Sequence, residues 1–268
     1  MSALLPVRMV EKPWGKELLP APFVAPVGQR IGEVWFEPPP SLPGLLVKYI
    51  FTSEKLSVQV HPSDAQMAAQ GKEECWLVIA ADPGAELAIG FRQPASADQI
   101  RAAALDGSIE QLLAWHKVRA GDFFYIPAGT VHAIGAGVSL IEVQQNSDIT
   151  YRLYDYGRPR ALHLDAGVAV ARGELHDSAL RRHIEPGGNL TLVDGPLFRL
   201  DRLAGAPDPA TAARYARAPL LVIPLAGEVQ VAGETVQPGQ CAVAQSLEAV
   251  TVAPDALALI AQDCGQSA

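Results

Sequence analysis

The stretch SVQVHPSDAQMAAQGKEE, residues 57–74, concentrates candidate metal ligands and charged groups in a run that begins like a β-strand. If residues 56–61 form a strand, alternate side chains point to opposite faces. The polar face then carries Ser57, Gln59 and His61, and the apolar face carries Leu56, Val58 and Val60. This pattern predicts a strand with one face in the hydrophobic core and the other face available for chemistry.

Short apolar runs flank this stretch on both sides, and turn signals such as Asp82-Pro83-Gly84 separate them. The runs are LLVKYIF (45–51), LSVQV (56–60), ECWLVI (74–79), ELAIGF (86–91), DFFYIP (122–127) and VSLIEVQ (138–144). Residues 1–44 are instead rich in proline, which favours irregular backbone and short edge strands. The whole pattern predicts a mainly β fold, either a sandwich or a barrel.

Several segments between the strands carry helical signals. Ser63 and Gln66 form a capping box that predicts a short helix ending near Gly71. Two further boxes, at Ser96 and Ser108, predict a helical insertion over residues 95–117. Residues 162–182 are rich in alanine and favour another helix.

A faint internal repeat predicts two related domains, residues 1–185 and 186–268, joined at Pro186-Gly187-Gly188. Residues 220–231 echo residues 76–89 when shifted by 144, and VQPGQCAVA (236–244) echoes VRAGDFFYI (118–126) when shifted by 118. Glu74 then corresponds to Ala218 and His132 to Val250. The second copy would keep the fold without the site, and a chance match is the alternative.

Composition narrows the classes of protein. A hydrophobic content of 49% with 19% charged residues is typical of a globular protein, and 268 residues suffice for one large domain or two ordinary ones. The formal net charge of −8 disfavours binding to nucleic acid or to an anionic membrane. Three separated cysteines, without a signal-like or membrane-spanning apolar segment, predict a cytoplasmic protein.

Four side chains form a candidate metal site: Gln59, His61, Glu74 and His132. Two imidazoles and a carboxylate are a recurrent catalytic ligand set, and an amide oxygen can add a fourth contact. The alternative for any single histidine is an inert, hydrogen-bonded strand end. The remaining histidines have no comparable surroundings and are expected to be structural or at the surface: His116, His163, His176 and His183.

A second polar series alternates with Ile141 and Val143 and leads toward Arg152. Its members are Glu142, Gln144, Asn146 and Asp148. If one strand carries all four, they share a face that could bind hydroxyls, abstract a proton and hold an anion. A hydrated edge strand accounts for the same pattern equally well.

Several blocks resemble, in order and spacing, those of the type I mannose-6-phosphate isomerases in their short bacterial form. They are KPWG, SVQVHPSD, GKEECW, GDFFYIPAGTVHAIG and QQNSDITYRLYDYGR, between Lys12 and Asp165. The resemblance implies a cupin-type β-barrel, or jelly roll, with a short helical insertion and a second, degenerate cupin-like β domain. It also implies interconversion of mannose 6-phosphate and fructose 6-phosphate through a metal-assisted enediol, by a monomer or homodimer.

The resemblance also implies roles for individual residues. It makes Gln59, His61, Glu74 and His132 the ligands of one zinc ion. It makes Arg152 the catalytic arginine, Lys72 a substrate contact or proton relay, and Ser57 a neighbour of the sugar phosphate. Glu142 and Asp148 fall on positions proposed as base or relay. One departure is Glu73, where a small polar residue is expected.

Two other functions fit part of the pattern. A cupin oxygenase could use the same two histidines and one carboxylate on Fe(II), but it leaves the series from Asp148 to Arg152 unexplained. A non-catalytic sugar-binding cupin would fold normally and bind sugar without turnover.

Overall fold

The computed structural model describes residues 3–68, 70–215 and 218–265, and most of its regular structure is β-strand. The strands up to residue 183 are β1 (Val7–Lys16), β2 (Ile31–Phe36), β3 (Leu45–Phe51), β4 (Val58–Val60), β5 (Glu74–Ala81), β6 (Glu86–Phe91), β7 (Leu113–Lys117), β8 (Asp122–Ile126), β9 (His132–Ile134), β10 (Val138–Gln145), β11 (Tyr151–Tyr154) and β12 (Arg181–His183). The remaining strands are β13 (Leu190–Asp194), β14 (Phe198–Ala204), β15 (Leu220–Ala226), β16 (Val229–Val231), β17 (Glu234–Val236), β18 (Ala242–Ala244), β19 (Val250–Val252) and β20 (Leu257–Asp263). The helices are α1 (Ala97–Asp106), α2 (Ile109–Leu112), α3 (Leu164–Val170) and α4 (Pro209–Arg214).

Two facing sheets, called here the first sandwich, contain strands β1 to β12. Within the described residues, one sheet has the order β1-β2-β3-β10-β5-β8-β12 and the other the order β11-β4-β9-β6-β7. Apolar side chains from both sheets meet between them, among them Trp76, Ile89 and Leu140. The mainly β, jelly-roll-like architecture expected from the sequence is therefore confirmed.

The second sandwich contains strands β13 to β20. Its larger sheet has the order β13-β14-β20-β15-β18 and its smaller sheet the order β17-β16-β19. The larger sheets of the two sandwiches pack back to back, with Ile141 and Val143 of β10 in one cluster with Leu200 and Leu259. Because side chains alternate along β10, its other face, with Leu140, Glu142 and Gln144, points into the first sandwich.

The repeat seen in the sequence extends to the strand order. In the larger sheets β2-β3-β10-β5-β8 matches β13-β14-β20-β15-β18, and in the smaller sheets β9-β6-β7 matches β19-β16-β17. Glu74 opposes Ile126, and Leu220 opposes Ala244, which lies 118 residues beyond Ile126. In the second sandwich, the residue that corresponds to Glu74 is therefore Leu220. The sequence alignment, which paired Glu74 with Ala218, was wrong by two residues.

Strands β1 to β12 contribute only to the first sandwich, and β13 to β20 only to the second. We propose a domain boundary between residues 185 and 186, which this division supports. The segment before β1 nevertheless contacts the second sandwich, because the Leu5 amide donates to the Cys241 carbonyl and Leu4 bridges Ala242.

Three predicted helical segments differ from the observed structure. The Ser96 box caps α1 as expected, but residues 113–117 form strand β7 because their backbone pairs with β6. Residues 64–68 form turns and not a helix. The Gln66 side chain accepts from the Ser63 amide, as in a capping box, but the Ser63 hydroxyl donates to the same side chain instead of accepting from a backbone amide. Only residues 164–170 of the alanine-rich segment are α-helical.

No helix within the described ranges is long and apolar enough to cross a membrane.

Candidate metal site and adjoining cavity

His61, Glu74 and His132 converge between the two sheets of the first sandwich. His61 follows β4 directly, and Glu74 and His132 are the first residues of β5 and β9. The Nε2 atoms of His61 and His132 lie 3.6 Å and 3.4 Å from oxygens of the Glu74 carboxylate. All three side chains are buried, and their ligand atoms lie within 4.8 Å of one another. One metal ion could therefore contact all three.

Both histidines are oriented by backbone carbonyls. The Nδ1 atoms of His61 and His132 lie 2.9 Å from the carbonyl oxygens of Ile149 and Thr130, respectively. Because a carbonyl oxygen only accepts hydrogen bonds, each Nδ1 carries the proton and each Nε2 presents its lone pair toward the Glu74 side. Burial lowers the pKa of His132 to about 4 and that of His61 well below its usual value. Both rings are thus neutral, as a metal ligand must be.

The Glu74 carboxylate also fits a metal. Its Oε1 atom is buried without a hydrogen-bond partner among the described residues. A buried carboxylate oxygen without a partner is costly, and a cation would supply the missing contact. Two neutral imidazoles and this carboxylate form a donor set suited to a borderline divalent cation.

Gln59 lies beside these three residues. It is in register with His132 across β4 and β9, and its amide nitrogen lies 3.2 Å from His132 Nε2. The two ends of an amide are nearly alike in shape, so a rotation presents the amide oxygen at the same place. Gln59 can therefore add a neutral oxygen donor.

A cluster of buried charges adjoins the candidate metal site. The Lys72 ammonium donates to the Glu74 carboxylate, and it lies 3.3 Å from His61 Nε2 and 3.7 Å from Glu142 Oε1. Lys48 donates to Glu142 Oε1 at 3.1 Å. The Trp76 indole donates to Glu142 Oε2 at 2.9 Å. Each oxygen of Glu142 thus has a donor.

The two glutamates of this cluster titrate differently. Burial raises the pKa of Glu74 to about 7, and the nearby Lys72 only partly counteracts this effect. Burial acts in the same direction on Glu142, but Lys72 and Lys48 outweigh it and lower the pKa of Glu142 to about 2. Burial alone would lower the pKa of Lys72, yet Glu142 and Glu74 raise it overall. Glu142 and Lys72 are therefore both charged at neutral pH.

A cavity of about 330 Å³ opens beside this cluster. Among the described residues that line it, five are basic and three are acidic. They are Lys12, Lys48, Lys72, Arg152 and Arg160, with Glu33, Glu142 and Asp148. This formal balance of +2 contrasts with a net charge of −8 for the whole chain. The cavity is therefore suited to an anionic molecule that also carries hydroxyl groups.

The other predicted site residues reach the same cavity. Ser57 is buried on its wall, and Arg152 of β11 stands opposite Gln59 of β4. The Nε atom of Arg152 is buried without a hydrogen-bond partner among the described residues. Asp148 lines the cavity from the loop after β10 and is exposed. All the predicted metal and substrate residues therefore lie in one region.

Two details of the predicted faces are wrong. The series from Glu142 to Asp148 does not lie on one strand, because β10 ends at Gln145 and the Asn146 side chain donates to the Pro43 carbonyl. Leu56 precedes β4 and lines the cavity beside Ser57, instead of sharing the apolar face of Val58 and Val60.

Sequence reasoning missed several residues of the cavity, above all Lys48 and Arg160. Lys48 had a signal, since it is the one charged residue of the run LLVKYIF, whose strand is buried along its whole length. Arg160 had none, because it reaches the cavity from the loop that follows β11. Glu73, the departure noted above, points away from the cluster and accepts a hydrogen bond from the Tyr125 hydroxyl.

The four histidines expected to lie outside the site do so. His116 contacts Arg181, His176 bonds to the Tyr125 carbonyl, and His183 pairs with Asp122. His163 accepts a hydrogen bond from the Arg152 amide. None belongs to the metal-ligand cluster found among the described residues.

Two facing β-sheets with a His–Glu–His cluster between them define a cupin-like protein with a candidate metal site. In sequence the chain is 45% identical to the mannose-6-phosphate isomerase of Streptococcus mutans over 136 residues, which cover 47% of this chain and 43% of that protein. It is 42% identical to a mannose-6-phosphate isomerase of Bacillus subtilis over 137 residues, again 47% of this chain and 43% of that protein. The chain thus spans less than half the length of these two curated relatives.

The structural comparison covers more of the chain than the sequence comparison does. A crystal structure of the mannose 6-phosphate isomerase from Bacillus subtilis superposes with a TM-score of 0.80, at 24% sequence identity, over 98% of this chain and 100% of that one. No protein-family model matches the chain. The resemblance to mannose-6-phosphate isomerases that the sequence blocks predict is confirmed.

Proposed function

We propose that the protein is an aldose–ketose isomerase that interconverts mannose 6-phosphate and fructose 6-phosphate. The observation that carries this proposal is that the His–Glu–His cluster lies directly beside a cavity with a net positive lining, which Lys72 and Arg152 share. Curated relatives named mannose-6-phosphate isomerase support the choice of sugar. We also propose that the protein is a monomer or homodimer and that it is cytoplasmic.

The proposed metal is one zinc ion per chain, held by His61, Glu74 and His132 with Gln59 as a fourth donor. Nitrogen and carboxylate ligands are typical of zinc. When bound, zinc polarises the carbonyl and hydroxyl oxygens of the sugar and so stabilises the negative charge that develops on them.

The reaction moves one proton between C1 and C2 of the sugar and another between their oxygens. Glu142 is a weak base, because Lys72 and Lys48 hold its pKa at about 2 and donors occupy both of its oxygens. Asp148 lines the cavity, and no described residue donates a hydrogen bond to its carboxylate. We therefore assign the transfer of the carbon-bound proton to Asp148 and a positioning role to Glu142.

Lys72 and Arg152 act on the sugar oxygens. The Lys72 ammonium is charged and adjoins both the Glu74 carboxylate and His61, so it can donate to an oxygen on C1 or C2. Arg152 stands opposite Gln59, and its planar guanidinium can stabilise the enediol oxygens at the metal end of the cavity. Ser57, on the same wall, can donate a hydrogen bond to a sugar hydroxyl.

A coupled assay tests this function. The purified zinc-loaded protein is expected to convert mannose 6-phosphate to fructose 6-phosphate, and chelation is expected to abolish turnover. An Arg152→Ala variant should fold and bind zinc but be nearly inactive. Bound metal without turnover of any sugar phosphate would instead favour a sugar-binding cupin, and oxidation of a substrate with Fe(II) would favour an oxygenase.

A further inference from the structure

The five basic residues of the cavity differ in how far their charges are already neutralised. Lys48 donates to Glu142 and Gln144 and sits 4.4 Å above the Trp35 ring, and Lys72 donates to Glu74. These two ammonium groups are buried and occupied. Their charges are therefore largely compensated, so neither ammonium is a strong site for a doubly charged phosphate.

Arg160 is fixed in position but retains free donors. Its Nε and Nη2 atoms each donate to the Asp155 carboxylate at 2.6 Å, which is a bidentate pair. No described residue accepts a hydrogen bond from its Nη1 atom. A guanidinium has five N–H donors, so three remain, and two of these, one on Nη1 and one on Nη2, point in parallel along the side that does not face Asp155. That side has the planar spacing that matches two oxygens of a phosphate.

A chain of ion pairs holds this arginine in place. Asp155 is buried and also accepts from Arg158 Nη1 at 3.2 Å. Arg158 in turn donates to Glu54, which pairs with Arg30 at 2.8 Å. The orientation of the Arg160 guanidinium is thus set before any ligand arrives, which reduces the entropy lost on binding.

Arg160 lies beside Arg152. The loop that carries it folds back onto β11, where the His163 amide donates to the Arg152 carbonyl at 2.7 Å and the Arg152 amide donates to His163 Nδ1 at 3.2 Å. Burial, and next the charge of Arg160, lower the pKa of Arg152. Two guanidinium groups that repel each other on one cavity wall would be stabilised by an anion between them.

We propose that Arg160 determines specificity for the anionic end of the substrate, by gripping the phosphate of a sugar phosphomonoester. Its side chain is 27% exposed, in contrast to 5% for Lys72 beside the candidate metal ligands. The phosphate therefore lies on the more open side of the cavity and the reacting carbons lie near Lys72. This assignment rests on the proposed function for the identity of the sugar, whereas the recognition of phosphate follows from the arginine itself.

The test is the kinetic effect of Arg160→Gln on the zinc-loaded protein. We expect KM for mannose 6-phosphate to rise about tenfold to a hundredfold with kcat changed less than about threefold, because the phosphate contact is the same in the ground and transition states. Arg160→Lys should give a smaller rise, since it keeps the charge and loses the planar pair of donors. An unchanged KM in Arg160→Gln, or a fall confined to kcat, would overturn the assignment.

The matched control is Arg158→Gln. Arg158 bonds to the same Asp155 carboxylate but does not line the cavity. This variant removes one outer ion pair but leaves the two bonds of Arg160 to Asp155, so we expect its KM to rise by less than about threefold, well below the rise in Arg160→Gln. A rise as large as that of Arg160→Gln would mean that the general charge of the loop, and not contact with phosphate, is responsible, and it would overturn the proposal.

A binding measurement separates this proposal from the proposed reaction. Inorganic phosphate titrated into the zinc-loaded protein should bind, and Arg160→Gln should weaken this binding about tenfold or more, whether or not any sugar is turned over. Phosphate binding that depends on Arg160 in a protein without isomerase activity would leave the arginine assignment intact and remove the isomerase. Phosphate binding unaffected in Arg160→Gln would overturn the assignment even for an active isomerase.

Discussion

The two sandwiches share a common strand order but differ in their interiors, which are charged in the first sandwich and mainly apolar in the second. The registers of the larger sheets that relate Glu74 to Leu220 also relate Glu142 to Ile260 and Lys48 to Asp201. The registers of the smaller sheets relate His132 to Val250. The first interior thus holds two lysines and two glutamates in contact. The second holds branched apolar side chains at the positions of Glu74, His132 and Glu142. The backbone arrangement forms without the charges. Buried charges are expensive to desolvate, so their presence in the first sandwich points to function.

Among the described residues, the second interior holds one charged pair, Asp201 with Arg214. Asp201, at the position of Lys48, is buried and pairs with Arg214, and it accepts a hydrogen bond from the Thr191 hydroxyl at 2.8 Å. No metal-ligand cluster lies there among the described residues. This pair joins β14 to the segment that contains α4, so its role is structural.

The largest effect is expected when a residue of the candidate metal site is replaced by its counterpart from the second sandwich. In His132→Val we expect the isomerase activity to fall by more than about a thousandfold, because one of the two imidazole ligands is lost. The fold should persist, since the equivalent strand carries Val250. Coupled assays, metal content and circular dichroism are the measurements.

His176→Gln is the control for this change. His176 is partly buried and bonds to a backbone carbonyl, as the ligand histidines do, but it lies outside the cluster. Its variant should keep both zinc and activity. Full zinc content in His132→Val would contradict the assigned ligand set.

Lys72→Met separates chemistry from metal binding. The substitution keeps the length of the side chain and removes the donor next to Glu74 and His61. We expect kcat to fall by about a hundredfold to ten-thousandfold with zinc still bound, because a positioned proton donor contributes about this much. The measurements are kcat and zinc stoichiometry on the same preparation. An equal loss of zinc would assign Lys72 to the metal site instead.

Arg214→Leu tests the retained pair of the second sandwich. It leaves the Asp201 carboxylate buried without its cation, which should lower the free energy of unfolding by about 3 kcal/mol. The specific activity of the folded protein should not change, because the pair is remote from the cavity. Adding Asp201→Val should recover part of the stability, as urea denaturation would reveal. Additive losses in the double variant would contradict a coupled pair.

The smallest expected effect is the pH dependence of zinc affinity. Burial raises the pKa of Glu74 to about 7, so below this pH zinc must displace a proton from the carboxylate. Zinc affinity should therefore rise with pH by up to about tenfold per unit below pH 7 and level off above it. His132, with its pKa lowered to about 4, contributes no such slope above pH 5. Chelator competition between pH 5.5 and 8 measures this, and a flat profile would contradict the proton on Glu74.

Alternation in the sequence was sufficient to place some site residues on the correct faces. Gln59 and His61 share a face because β4 has a period of two, and Glu142 and Gln144 do so on β10. The residues that were missed depend on distant contacts. Arg160 reaches the cavity only because its loop is bound to β11 through His163, a contact that no local pattern encodes.

Local signals also failed where tertiary pairing competed with them. Residues 113–117 follow a helical segment, but their backbone groups find partners on β6, and the strand prevails. Only half of the Ser63 capping box forms: the Gln66 side chain accepts from the Ser63 amide, while the Ser63 hydroxyl donates to that side chain and caps no backbone amide. In both cases, the secondary structure depends on hydrogen bonds that the local sequence pattern does not reveal.

Because the two larger sheets pack back to back, the chain contains within itself an interface of the kind that a homodimer forms between subunits. The outer face of β10 and its neighbours, with Phe123, Ile141 and Val143, is covered by the second sandwich rather than by another molecule. Association within one chain does not weaken on dilution, whereas association between subunits does. The second sandwich, which lacks the metal-ligand residues, therefore covers the sheet that carries Glu74 and Glu142 at any protein concentration. Truncation after residue 185 would expose this apolar surface and promote aggregation.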